Sequence, residues 1–109
     1  MINIYSEPFP EQIRGKIRGM TVVGRGGIRI LLDSTLEPEQ AKKTLGHELA
    51  HIYLKHAFAG GTWEELGEGV TTKADVEMER EADEHAAYYY ELFAAGCLPD
   101  VTDRRGDVL

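Results

Sequence analysis

The chain has 109 residues, of which 42% are hydrophobic and 28% charged; this excludes a disordered, apolar-poor polymer and allows one small domain with a thin core. Its formal net charge of −7 opposes phosphate binding, since nonspecific nucleic-acid affinity comes mostly from Lys and Arg displacing counterions, so direct binding to DNA or RNA is not expected. No stretch approaches the roughly 20 apolar residues that span a bilayer, and Met1–Glu7 has neither a basic n-region nor an apolar h-region, so a cytoplasmic protein is expected.

Ile2–Tyr5 is a short apolar run broken by Pro8 and Pro10, which reads as an edge strand followed by a turn or short helix over 11–19. The basic residues Arg14, Lys16, Arg18, Arg25 and Arg29 lie among glycines and read as a solvated rim. Met20–Val23 and Ile28–Leu32 are β-branched or apolar runs separated by Gly24-Arg25-Gly26-Gly27, a hairpin signature in which Gly26 or Gly27 supplies the positive φ. Asp33, Ser34 and Thr35 offer capping side chains, and Pro38 with Glu37 and Glu39 favours a helix start; the helix should run to about His56.

On that helix Ala41, Leu45, Leu49 and Ile52 recur at three- and four-residue steps and can pack on the hairpin sheet. His47, His51, Leu54 and Phe58 form a second line on nearly the opposite side, which puts the helix between two layers and both histidines inside. Gly46 and Ala50 lie between the lines and allow close backbone approach. The segment 59–69, with four glycines and no sustained period, reads as a loop. Thr71 or Thr72 can cap a last helix over about Lys73–Ala95, ended by Gly96 and Pro99. Residues 100–109 read as a frayed polar tail, and the lone Cys97 as a small half-buried apolar residue. The expectation is thus one α+β domain over 1–109: an N-terminal segment 1–19, a core 20–98 of small antiparallel sheet on two helices, and a tail 99–109.

The chemistry lies in His47-Glu48-Leu49-Ala50-His51. Residues four apart on a helix share a face, so two imidazoles can grip one ion. Zinc takes such nitrogens in tetrahedral sites and keeps a place for water when the protein supplies three ligands. Glu48, beside the first ligand, is placed to take a proton from that water as general base. Chance occurrence of hydrogen-bonded histidines is disfavoured because the line continues into Leu54 and Phe58, facing an interior where lone polar groups are costly.

For the third ligand the metzincin spacing is excluded, because Leu54 and Ala57 stand where it needs glycine and histidine. The last helix offers several carboxylates. Met78, Ala82, Ala86, Tyr89 and Phe93 form its apolar stripe, and Glu79 and Asp83 border that stripe one turn apart. Glu79 is therefore the expected ligand, and Asp83 the acceptor that fixes a histidine tautomer. Glu77, Glu81 and Glu84 read as solvated, His85 as a surface histidine, and His56 as a helix-end cap. Of Tyr88, Tyr89 and Tyr90, read mostly as core or rim, one phenol near the site could stabilise an oxyanion.

Pro38-Glu39-Gln40 leading to Thr44-Leu45-Gly46-His47-Glu48-Leu49-Ala50-His51, then Glu79-Arg80-Glu81-Ala82-Asp83 and Ala86-Ala87, resemble the ImmA/IrrE family of zinc metallopeptidases over roughly residues 20–98. The resemblance implies a minimal zincin-like domain of the gluzincin kind, one zinc ion on His47, His51 and Glu79, and peptide-bond hydrolysis of narrow specificity. It further implies a protein or peptide substrate, as in prophage-encoded relatives that act on a helix-turn-helix repressor. The chain departs from the family in having no room for the helix-turn-helix or longer sensor region of many relatives. Two other readings stand beside it: a non-catalytic partner-binding module with a structural or vestigial metal, and a helical regulatory domain without metal.

Overall fold

The computed structural model describes residues 1–24, 26–54, 62–66 and 73–106, with backbone alone for 62–66 and 73–76. Its elements are β1 (Ile2–Glu7), β2 (Ile17–Gly24), β3 (Gly27–Asp33), α1 (Pro38–Tyr53), β4 (Thr62–Leu66), α2 (Lys73–Ala94) and β5 (Val101–Asp103). They form an α+β domain: a five-stranded sheet in the order β4-β2-β3-β1-β5, covered by α1, with α2 packed on α1. Arg25, His56, Phe58 and the capping threonines 71 and 72 lie outside the described residues.

The β2–β3 hairpin closes on the pair Gly24 and Gly27, and Gly27 carries the positive φ of 113°. Period-two alternation turns Ile2 and Ile4 of β1 and Ile30 and Leu32 of β3 toward the helix layer, where Leu45 and Leu49 of α1 complete the core. Ile52 packs against this cluster, as the stripe on α1 requires. Pro38 opens α1 as expected, but the N-cap is Glu37, whose N–H donates to the Gln40 side chain at 3.3 Å. Asp33 serves the preceding turn instead: its Oδ1 accepts from the Thr35 N–H at 3.0 Å, the Thr35 hydroxyl at 2.9 Å and the Phe9 N–H at 3.4 Å.

Four sequence expectations need correction. The sheet is mixed: β1 is an inner strand, parallel to both β3 and β5, with Ile2 opposite Ile28 and Val101. Parallel pairing joins segments remote in sequence and leaves no turn signature to read. The glycine-rich segment holds β4, antiparallel to β2 with Thr21 opposite Trp63; a five-residue run of Thr62, Trp63 and Leu66 around two glutamates is too short to show a period beside its glycines. The tail is not frayed over its described part. Residues Val101–Asp103 form β5, and the Arg104 N–H donates to the Ile4 carbonyl at 2.8 Å while Arg104 Nε donates to Asn3 Oδ1 at 2.8 Å. Finally, Cys97 is exposed rather than half-buried.

α2 ends as a glycine-terminated helix should. The Gly96 N–H donates to Phe93 O at 3.0 Å and the Cys97 N–H to Leu92 O at 2.8 Å, with Gly96 at φ 74°. That reversal delivers Leu98 and Val101 to the flank of the core.

Candidate metal centre

The second half of α1 is wholly interior: Thr44 to His51 are all buried. Such burial around polar side chains is possible because α2 approaches unusually closely. A Cβ placed on Gly46 would collide with the Ala86 carbonyl oxygen, so only glycine permits this spacing. Ala82 and Ala86, small and buried, continue the same seam along α2.

Across this seam the helices bring four expected residues together. His47 and His51, one turn apart, present their rings edge to face with centroids 4.7 Å apart. Their Nε2 atoms are 3.0 Å from each other. Glu79 reaches from α2 with Oε2 at 2.8 Å from His47 Nε2 and Oε1 at 3.1 Å from His51 Nε2. Asp83, one turn further on, accepts from His47 Nδ1 at 2.8 Å.

The hydrogen bond to Asp83 has an electronic consequence. A carboxylate only accepts, so His47 Nδ1 carries the proton, and in the neutral ring Nε2 then holds a lone pair. That lone pair points at a carboxylate oxygen and a second imidazole nitrogen, an arrangement that is repulsive unless a proton or a cation lies between them. One nitrogen from each histidine and one oxygen of Glu79 all lie within 4.8 Å of one another, and this group could hold a metal ion. Two nitrogens and a carboxylate oxygen around one point suit several divalent ions, zinc among them. Glu79 is electrostatically prepared for the role. With no ion bound and the two rings protonated, burial raises its proton affinity, but hydrogen bonds from His47 and His51 and their charge outweigh that and bring its pKa from 4.5 to about 2.

Glu48 faces a different neighbour. It is fully buried, and its Oε2 accepts from the Thr21 hydroxyl of β2 at 2.5 Å. Thr21, also fully buried, is the site residue that sequence reasoning missed. The signal was available: in the alternation of β2 it occupies a core-facing position where an aliphatic residue would be ordinary.

The remaining candidates lie elsewhere. Glu77, Glu81 and Glu84 are exposed, with Arg80 bonded to Glu77 at 3.0 Å and Glu84 at 2.9 Å. His85 bonds back through Nδ1 to the Glu81 carbonyl at 2.8 Å. Tyr89 stacks on Tyr53 with centroids 5.5 Å apart, Tyr90 lies beside Phe93, and Tyr88 is exposed. No helix among the described residues is long and apolar enough to cross a membrane. No protein-family model matches this chain, and comparison with curated proteins finds no match.

Proposed function

We propose that this protein is a zinc-dependent endopeptidase of narrow specificity, similar to the ImmA/IrrE metallopeptidases, acting on a cytoplasmic protein such as a helix-turn-helix repressor of a mobile element. The observation that carries this reading is the convergence of His47, His51 and Glu79 on one point, with Glu48 adjacent to the first of them on the same helix. His47 and His51 would hold the zinc through Nε2 and Glu79 through its carboxylate. Bound there, zinc supplies Lewis acidity, polarising a peptide carbonyl and acidifying a water.

The chain's own residues have distinct tasks in this scheme. Asp83 holds the His47 ring in the tautomer that leaves Nε2 basic. Glu79 stays a carboxylate at every physiological pH, as its low pKa requires. Glu48 takes the proton of the attacking water and passes it to the leaving amine. The buried walls around His47 and His51 exclude bulk water, which strengthens each of these electrostatic contacts.

The experiment is Glu48→Gln in zinc-loaded protein, assayed on a proteome-derived peptide library. The expected outcome is full zinc content with hydrolysis reduced on the order of 10²- to 10⁴-fold, the scale of a lost general base. Unchanged hydrolysis would refute the mechanism. One observation favours the second reading, a structural metal in a non-catalytic partner-binding module: His47, Glu48 and His51 are 1%, 0% and 0% exposed. That reading expects zinc in the wild type, no hydrolysis by either protein, and partner binding indifferent to the substitution.

A further inference from the structure

The inner face of the sheet is aliphatic where it meets α1. Ile2, Ile4, Ile30 and Leu32 line it, and Leu45 and Leu49 press on it from the helix. Thr21 breaks this pattern. It sits opposite Ile30 in the β2–β3 register and is 0% exposed, in a place that valine, with the same branched shape, would fill without burying a hydroxyl. A buried hydroxyl is costly unless bonded, so the threonine calls for a partner.

That partner is Glu48 Oε2, at 2.5 Å across 27 residues of sequence. The hydroxyl donates and the carboxylate oxygen accepts, at the short end of O–H···O distances. The contact also joins the sheet to α1 beside the aliphatic cluster that the two layers share. Glu48 extends from α1 on a flexible chain with several rotamers open to it. A donor on the sheet does select one, because β2 is held between β3 and β4 and cannot follow the side chain.

We infer that Thr21 is the positioning residue of the proposed general base: its hydroxyl holds Glu48 Oε2, fixes the rotamer of a carboxylate carried one residue along α1 from His47, and so assigns proton uptake from the attacking water to Oε1. This rests on the peptidase reading. It adds to that reading a role for a sheet residue outside the helix motif and for one named oxygen. During the reaction the water O–H bond breaks, its oxygen bonds to the carbonyl carbon, and the proton resides on Oε1 until the peptide C–N bond breaks and the departing amine nitrogen takes it. Thr21 keeps its own proton throughout.

Thr21→Val and Thr21→Ser separate this role from a structural one. Zinc-loaded crystals of both variants and the wild type read the Glu48 rotamer directly, and steady-state hydrolysis of one peptide selected from the library reads kcat and KM. The expected result is a displaced Glu48 carboxylate in Thr21→Val, kcat lower by about 10- to 100-fold with KM and zinc content unchanged. Thr21→Ser, which retains the donor, is expected to recover the rotamer and most of kcat. A Thr21→Val protein that merely melts earlier, with Glu48 in place and kcat intact, overturns the assignment while the peptidase reading stands. A wild type that binds no zinc, or cleaves nothing in the library, overturns the peptidase reading and the assignment with it.

Discussion

Asp83 and His47 differ sharply in their surroundings: the carboxylate side chain is 57% exposed, whereas the imidazole that it holds is 2% exposed. Asp83 lines an open groove of about 350 Å³ between α1 and α2 with Lys43 and Tyr90, so water reaches the outer partner of the metal-binding group. Its contribution is orientation more than charge. Asp83→Ala is expected to weaken zinc binding by about 10- to 100-fold in chelator competition, with α-helical content retained; an unchanged affinity would show that the tautomer is set by something else. Glu79 provides a second test at this scale. Because its folded-state pKa of about 2 lies below the ordinary 4.5, the stability it confers on the metal-free protein is complete above 4.5 and disappears as pH falls toward 2. Urea melts of metal-free protein should therefore show a steeper acid loss in the wild type than in Glu79→Gln, and parallel curves would reject the linkage. Most of the residue-scale picture was legible beforehand, since helical spacing alone dictates that His47 and His51 share a face and that Glu79 and Asp83 follow one another on the last helix. The pairing of Thr21 with Glu48 was not, although the core-facing place of Thr21 in β2 was, because the two lie in different layers and helix geometry says nothing about the sheet.

The elements depend on one close contact. Gly46 gives α1 a surface without a side chain where the Ala86 carbonyl of α2 passes, and His47 and Glu79 meet across the same two helices. Gly46→Ala favours the isolated helix yet forces the pair apart. The expected outcome is a loss of about 1–3 kcal/mol in urea unfolding, the usual cost of overpacking, together with a disproportionate loss of zinc affinity. Normal stability with normal zinc binding would mean that α2 has slack to move. Sequence reading found in Gly46 and Ala50 a place for close backbone approach on α1, without naming what approaches, and it found the hairpin from the glycines between two apolar runs. It failed for β1 and β4 for different reasons. The direction of β1 is set by a partner far along the chain, while β4 owes its existence to the open edge of β2, which no property of Thr62–Leu66 reveals.

For the molecule as a whole, the flank formed by β1 and β5 closes the sheet on the side away from β4. It is tied by the Ile2 N–H to Asp100 O at 2.8 Å, Arg104 N–H to Ile4 O at 2.8 Å, and the Arg105 guanidinium 5.9 Å above the Phe93 ring. A variant ending at Pro99 should lose on the order of 2–4 kcal/mol, taking about 1 kcal/mol for each lost hydrogen bond together with newly wetted Ile2 and Ile4. Thermal melts compare it with the intact chain, and an unaltered midpoint would restore the frayed-tail view. The neighbouring layout of β1 and β5 also orders events in synthesis. On the ribosome Ile2 and Ile4 emerge well before their second neighbour, Val101–Asp103, which follows only after both helices have been made. Between those two moments the nascent chain exposes a strand edge of β1, and the protein's yield in a cell should depend on how well chaperones shield it until the fifth strand arrives.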